Sequence, residues 1–196
     1  MRGFRRERGV FVARLESAER PVLLDVVNGV IDLFGEVPDP GDVLDPFTRL
    51  TITEEPVDPP EDPALHRLLP DASPDPELAA ELRRLTEADL RTGKVARLRL
   101  LRGALEQAAP DLVVSPAGAP DVAAALTDVR LVLAQRLGLE TDDQADEIRE
   151  LAMARGAAAD DAESTRRFLA AVYSVLTQLQ GDLVELMVSE LDHGTQ

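Results

Sequence analysis

Between residues 162 and 191 apolar side chains recur every three to four positions without a break. Phe168, Val172, Val175, Leu179 and Leu186 fall on one line, and Leu169, Leu176, Leu183 and Met187 widen it. An α-helix brings residues at that spacing onto one side, and a stripe this broad is expected at the centre of a helical bundle. A second stripe, Val122, Leu126, Val129, Leu133 and Leu137, is bracketed by Pro120 and Gly138. Those two residues suit a helix's first turn and its left-handed stop. A third stripe runs through Leu23, Val26, Val27, Val30, Ile31 and Phe34 to Gly35, with Ser17 as its expected N-cap.

The remaining segments extend this pattern. Asp75-Pro76-Glu77 reads as a helix start leading through Leu78, Leu82 and Leu85. Gly93 is expected to kink or interrupt that helix before Val95, Leu98, Leu101 and Leu105. Residues 64–69 form a short helical piece ended by Pro70. Thr141-Asp142-Asp143-Gln144 matches a capping box, opening a helix that stops near Gly156. Residues 4–7 and 10–15, joined at Arg8-Gly9, read as a β-ribbon, and residues 111–114 as a strand that could pair with it. Residues 36–63 carry seven of the fourteen prolines and nine acids, the composition of a solvated surface arm or linker. The expected fold is mainly α, a bundle of about five to six helices with a small N-terminal β element, in one domain over residues 1–196. Only 3% of residues are aromatic and none is tryptophan, so the core must be built from Leu, Val and Ala.

Several functions are excluded or disfavoured by composition. The chain has no cysteine, which removes disulfides, thiolate nucleophiles and Cys-ligated zinc together. It has no apolar run of about 18 residues and no signal-peptide core, so a cytoplasmic protein without membrane contact is expected. The formal charge is −16, unevenly spread. Residues 1–14 are net +4 and 83–102 net +5, against −10 over 36–77 and −7 over 139–165. Such a field repels nucleic-acid backbones at long range, which disfavours direct DNA contact. The two basic patches are either contact points or faces balanced by the chain's own acids.

Chemistry-bearing constellations are sparse. His66 and His193, the only histidines, have no sequence-adjacent catalytic partner. Asp142, Asp146 and Glu150, with Asp143 and Glu147 on the next row, share a helix face. They lack both the glycine-centred loop of an EF-hand and the Glu-x-x-His pairs of di-iron bundles. No phosphate loop, nucleophile elbow or zinc-protease helix is present. The expectation is therefore no enzyme, no metal and no cofactor. Arg83, Arg84, Arg91, Lys94, Arg97, Arg99 and Arg102 spread around their helix, so a groove-reading surface would need tertiary structure to gather them.

A set of ordered stretches adds a resemblance. These are Met1-Arg2-Gly3-Phe4-Arg5-Arg6, Arg67-Leu68-Leu69-Pro70-Asp71-Ala72 and Glu81-Leu82-Arg83-Arg84-Leu85-Thr86-Glu87. They continue as Ala125-Leu126-Thr127-Asp128-Val129-Arg130-Leu131, Gln135-Arg136-Leu137-Gly138-Leu139 and Val172-Tyr173-Ser174-Val175-Leu176-Thr177-Gln178-Leu179-Gln180. In that order and spacing the chain resembles the actinobacterial AosR-like family, long filed as a domain of unknown function. The likeness spans nearly the whole chain apart from the proline-rich arm and residues 140–165.

The resemblance implies an oxidative-stress transcription regulator that associates with a stress sigma factor and raises expression of a sulfur-carrier-dependent cysteine synthesis pathway. It also implies sensing through a closely spaced cysteine pair, which this chain lacks. Met153 and Met187 are oxidisable in principle and read as packing residues. Two readings follow. One is a regulator acting through sigma factor or RNA polymerase contacts, with cysteine sensing absent. The other is a non-catalytic helical interaction module unrelated to transcription, for which a homo-oligomer is open. On either, charge segregation points to Arg2, Arg5, Arg6 and Arg8, then Arg83, Arg84 and Arg91, as partner-binding residues.

Overall fold

The computed structural model describes residues 2–37, 57–107, 110–139, 144–154 and 158–193. Strands β1 (Arg2–Glu7) and β2 (Val10–Arg14) lead into α1 (Glu19–Leu33), followed by α2 (Pro63–Leu68) and α3 (Pro76–Gln107). Then come β3 (Asp111–Val114), α4 (Ala119–Leu137), α5 (Gln144–Met153) and α6 (Asp161–His193). The described residues thus form a mainly α-helical bundle with one small three-stranded antiparallel sheet, ordered β1-β2-β3.

The centre of the bundle is α4, not α6. Eleven of the nineteen α4 residues are buried, and the helix packs against α6, α2, α3 and α1. Its ends are well specified. Pro120 stands in the first turn with Asp121, and Gly138 takes the left-handed conformation at φ 74°. There the Leu139 N–H donates to the Ala134 carbonyl at 2.9 Å while the Leu139 side chain is buried, a Schellman stop with its apolar contact. Helix α6 lies along one flank, against α4, α5 and β1. At 33 residues it is about 50 Å long, roughly 20 Å longer than α4. Its ends therefore overhang: Val172, Leu176, Leu179 and Leu183 are buried, but Phe168, Val184, Val188 and Leu191 are exposed.

Other expectations are corrected by packing. Helix α3 is continuous through Gly93. One helical glycine costs about 1 kcal/mol, and the burial of Val95, Leu98, Leu101 and Leu105 outweighs it. In its first half Leu78 and Leu85 are exposed, and Ala79, Arg83 and Glu87 form the inward face instead. Ser17 does not cap α1; the N-cap is Ala18, and the Glu19 carboxylate reaches back to the Glu16 N–H at 2.7 Å. Asp75 does cap α3, accepting from Glu77 and Leu78. Met187 packs against the core, whereas Met153 is 71% exposed. Thr141, Asp142, Asp143 and Gly156 lie outside the described residues, as does most of the 36–63 arm, whose described end supplies Asp62 as the N-cap of α2. None of the described helices is long and apolar enough to cross a membrane.

The sheet carries two local devices. Arg8 (φ 50°) and Gly9 (φ 85°) are both left-handed, which is the type I′ geometry that matches strand twist. In β1, the register steps from Arg2↔Arg14 to Arg5↔Val12, so β1 carries one extra residue there, a bulge. At the bulge the Phe4 N–H donates to the Asp182 carboxylate of α6. Asp182 fills the space beside Gly3 so closely that a Cβ at position 3 would stand 1.6 Å from its Oδ2. Burial raises the Asp182 carboxyl above its usual range; the Phe4 N–H lowers it, Glu185 raises it and Arg5 lowers it.

Two outcomes follow from this contact. Gly3→Ala should cost about 1–3 kcal/mol in denaturant unfolding by displacing Asp182, and much less in an Asp182→Ala background. A carboxyl raised on folding stabilises most while protonated, and that contribution is lost as pH climbs through its folded value. Asp182→Asn keeps an acceptor for Phe4 without the charge. It should therefore be more stable than the parent at neutral pH and lose that advantage in acid, below the ordinary carboxylate range, as read by thermal melts across pH.

Candidate interaction surface

Helix α3 turns most of its cations onto the protein itself. The Arg83 guanidinium, 5% exposed, binds Glu87 (8% exposed), donates to the Leu69 carbonyl at 3.1 Å and pairs with Asp71 at 2.9 Å. Burial works against its charge, but hydrogen bonds and charge from Asp71 and Glu87 outweigh that and hold its pKa above the ordinary arginine value. One turn on, Arg91 binds the other Glu87 oxygen at 2.9 Å and donates to the Phe34 carbonyl at the end of α1. Arg99 donates to the Val37 carbonyl at 2.9 Å. Lys94 meets the buried Asp128 of α4 at 2.6 Å, Arg97 meets Asp121 at 3.3 Å and Arg84 meets Glu81 at 2.6 Å.

A second polar layer joins α4 to its other neighbours. Arg130 hydrogen-bonds Gln180, donates to the Tyr173 hydroxyl at 3.2 Å and stacks 5.2 Å from that ring. Gln180 in turn donates to Thr127. Arg67 of α2 donates to Gln135 and to the Leu139 carbonyl, and Arg136 pairs with Asp62 at 2.6 Å. Every one of these groups except Lys94, Arg91, Arg97, Arg99, Asp121, Asp62 and the carbonyls of Phe34 and Val37 comes from the sequence stretches quoted above. The stretches that looked distinctive are largely those that hold the elements together through partly or fully buried polar pairs.

The seven arginines singled out by charge therefore divide. Arg83 is enclosed, Arg84 and Arg91 are partly covered and paired along α3, and Arg6 meets Glu190 of α6 at 3.0 Å. Arg2, Arg5 and Arg8 form no ion pair among the described residues. Arg8 stands at the hairpin turn. Arg2 and Arg5 lie on the outer face of the sheet, together with Arg14, a residue that charge segregation alone did not single out. The alternation explains the division. Phe11, Ala13, Leu112 and Val114 face the core, which sends Val10, Val12, Arg14 and Val113 outward. Arg5 is paired with Val12 and Arg2 with Arg14, so they share that face. Arg2, Gly3, Arg5, Glu7, Val12 and Arg14 line a shallow hollow of about 120 Å³.

The other candidates are less organised. His66 is 4.0 Å from Asp71, and the His193 side chain lies outside the described residues. Asp142 and Asp143 lie outside as well; Asp146 pairs with Arg149 at 2.6 Å, and Glu147 and Glu150 are exposed. Among the described residues no three or more His, Cys, Asp or Glu side chains are grouped to hold a metal ion.

A family described as a domain of unknown function, DUF2017, matches residues 1–187, and the chain belongs to it. No curated protein and no solved structure matches the chain.

The paired network has a measurable asymmetry. Glu87 is buried and serves two arginines, whereas Asp71 is 48% exposed and serves one. Glu87→Ala should destabilise by about 3 kcal/mol, since it takes from the buried Arg83 guanidinium its buried carboxylate and from Arg91 its only one, leaving Arg83 the half-exposed Asp71. Asp71→Ala should cost about 1 kcal/mol or less. Equilibrium unfolding in urea compares the two directly.

Proposed function

We propose that this protein is a non-catalytic transcription regulator of the AosR-like type, which docks a sigma factor or RNA polymerase and lacks cysteine-based redox sensing. The observation that carries the docking reading is the division of its cations. Those on α3 are largely committed to carboxylates and carbonyls of the chain itself, while Arg2 and Arg5 stand on an uncovered sheet face without an ion-pair partner among the described residues. Exposed arginines outside any ion pair favour charge-assisted recognition, because a ligand carboxylate need not displace a bonded internal partner. The transcriptional identity of the partner rests on the sequence resemblance. The net charge of −16 favours a protein partner over a phosphate backbone.

Pull-down with the tagged protein from nuclease-treated actinobacterial lysate, with and without peroxide, tests this reading. Enrichment of a sigma factor or RNA polymerase, unchanged by peroxide because there is no thiol to oxidise, is the expected result. Absence of both from the captured proteins would remove the transcriptional reading and leave the interaction-module alternative.

A further inference from the structure

The first half of α3 is built inside out. Ala79, Arg83 and Glu87 face inward there, and two of the three are charged. Leu78 and Leu85 face the other way, 50% and 48% exposed, and Leu82 between them is only partly covered. A helix that packs on its own fold alone carries the reverse pattern, apolar side in and charges out. The rotation is fixed, because Arg83 and Glu87 are tied to Asp71, to the Leu69 carbonyl and to Arg91. Turning the helix to bury its leucines would break all of those bonds. Leu78, Leu82, Leu85 and Asp89 follow one another at spacings of four, three and four, the seam along which two helices pair. Beside that seam Leu90, 48% exposed, stands at the rim of a hollow that Leu69, Pro70, Ala72 and Thr86 also line.

We propose that this outer face of α3 is a docking site for an amphipathic helix of a partner protein, which lays an apolar stripe along Leu78, Leu82 and Leu85 and sets a lysine or arginine against Asp89. Charge selects the occupant. Asp89 and Glu77, at the two ends of the leucine run, are exposed and enter no ion pair among the described residues, whereas Glu81 is already held by Arg84. A polar residue at one position of an apolar seam fixes register and orientation, and the complement of a carboxylate is a cation. A second copy of this chain lacks that complement. Run antiparallel, with Leu82 against Leu85, it sets Leu78 against Asp89; run parallel, it sets the two Asp89 carboxylates against each other. An anionic lipid surface is repelled by the same carboxylates and by the net charge of −16. The inference goes beyond the proposed function, since this face is separate from Arg2 and Arg5 and stands whether or not the partner belongs to transcription.

The test uses the full chain and two fluorescein-labelled, stapled helical peptides, read by anisotropy at low and high salt. Both carry leucines at spacings of three and four; one has lysines beside the stripe and the other glutamates. The lysine peptide should bind, weaken with salt and lose affinity about tenfold in Leu78→Gln and in Leu85→Gln, while the glutamate peptide should not bind. Both variants should melt close to the parent, because each leucine is half exposed and the bonds of Arg83 and Glu87 remain. Asp89→Lys should reverse the preference, admitting the glutamate peptide and rejecting the lysine one, an exchange that a merely structural role for Asp89 would not produce. Leu191→Gln, at an exposed leucine of α6, should bind as the parent does. Failure of the lysine peptide to bind, equal loss in Leu191→Gln, or binding of both peptides without regard to Asp89 would each overturn the inference. So would a dimer in sedimentation that Leu85→Gln abolishes, since the occupant would then be a second copy.

Discussion

Glu87 is held between Arg83 and Arg91, and those arginines also carry the carbonyls of Leu69 and Phe34. This one chain of charge-assisted bonds connects the end of α1, the turn after α2 and the first half of α3. That half of α3 turns Ala79, Arg83 and Glu87 inward and leaves Leu78 and Leu85 outside. A buried ion pair is seldom the cheapest way to stabilise a fold, because the desolvation of both groups offsets most of the attraction. It is directional, however. A leucine face would tolerate sliding of the helix, whereas a guanidinium shared between two carboxylates and a carbonyl fixes one register. The positions of Arg99 beside Val37 and Lys94 beside Asp128 follow from that register.

The same economy separates scaffold from surface. Most of the positive charge that gives residues 83–102 their basic character is engaged within the molecule, and so are the polar residues of the stretches that marked the chain's resemblance. Thr127, Asp128, Arg130, Gln135, Tyr173 and Gln180 all serve contacts of α4 with its neighbours. A pattern of polar residues at fixed spacings can therefore be a signature of assembly rather than of chemistry. Fewer exposed arginines outside ion pairs remain than net charge by segment implied; among the described residues Arg2, Arg5 and Arg8 of the ribbon are three of them.

Much of the architecture was legible from periodicity and punctuation. Pro120, Gly138, Asp75 and Gly35 mark helix ends where the sequence places them, and residues 111–114 form the expected strand beside the ribbon. These features depend on residues close together in the chain, so local sterics and hydrogen bonding suffice. The ranking of helices was not legible. The broad stripe of residues 162–191 read as the centre, yet α4 holds that place because it is buried on several sides at once, against α6, α2, α3 and α1, while α6 leaves apolar residues exposed towards both ends.

The candidate site divides along the same line. Sequence alone determined that the N-terminal ribbon is rich in arginine, that no thiol is present and that helices dominate, since each depends on residue type or on spacing within one turn or one strand. Only the tertiary structure decided which arginines are enclosed and which are exposed. Arg83 is enclosed because Asp71 and Leu69, twelve and fourteen residues away, fold back onto it. Arg2 joins Arg5 and Arg14 because Asp182, on the last helix, occupies the place where a side chain at Gly3 would be and holds the bulge. A single extra residue in one strand reverses the face of everything beyond it, and whether that residue is accommodated depends on a partner nearly the whole chain away.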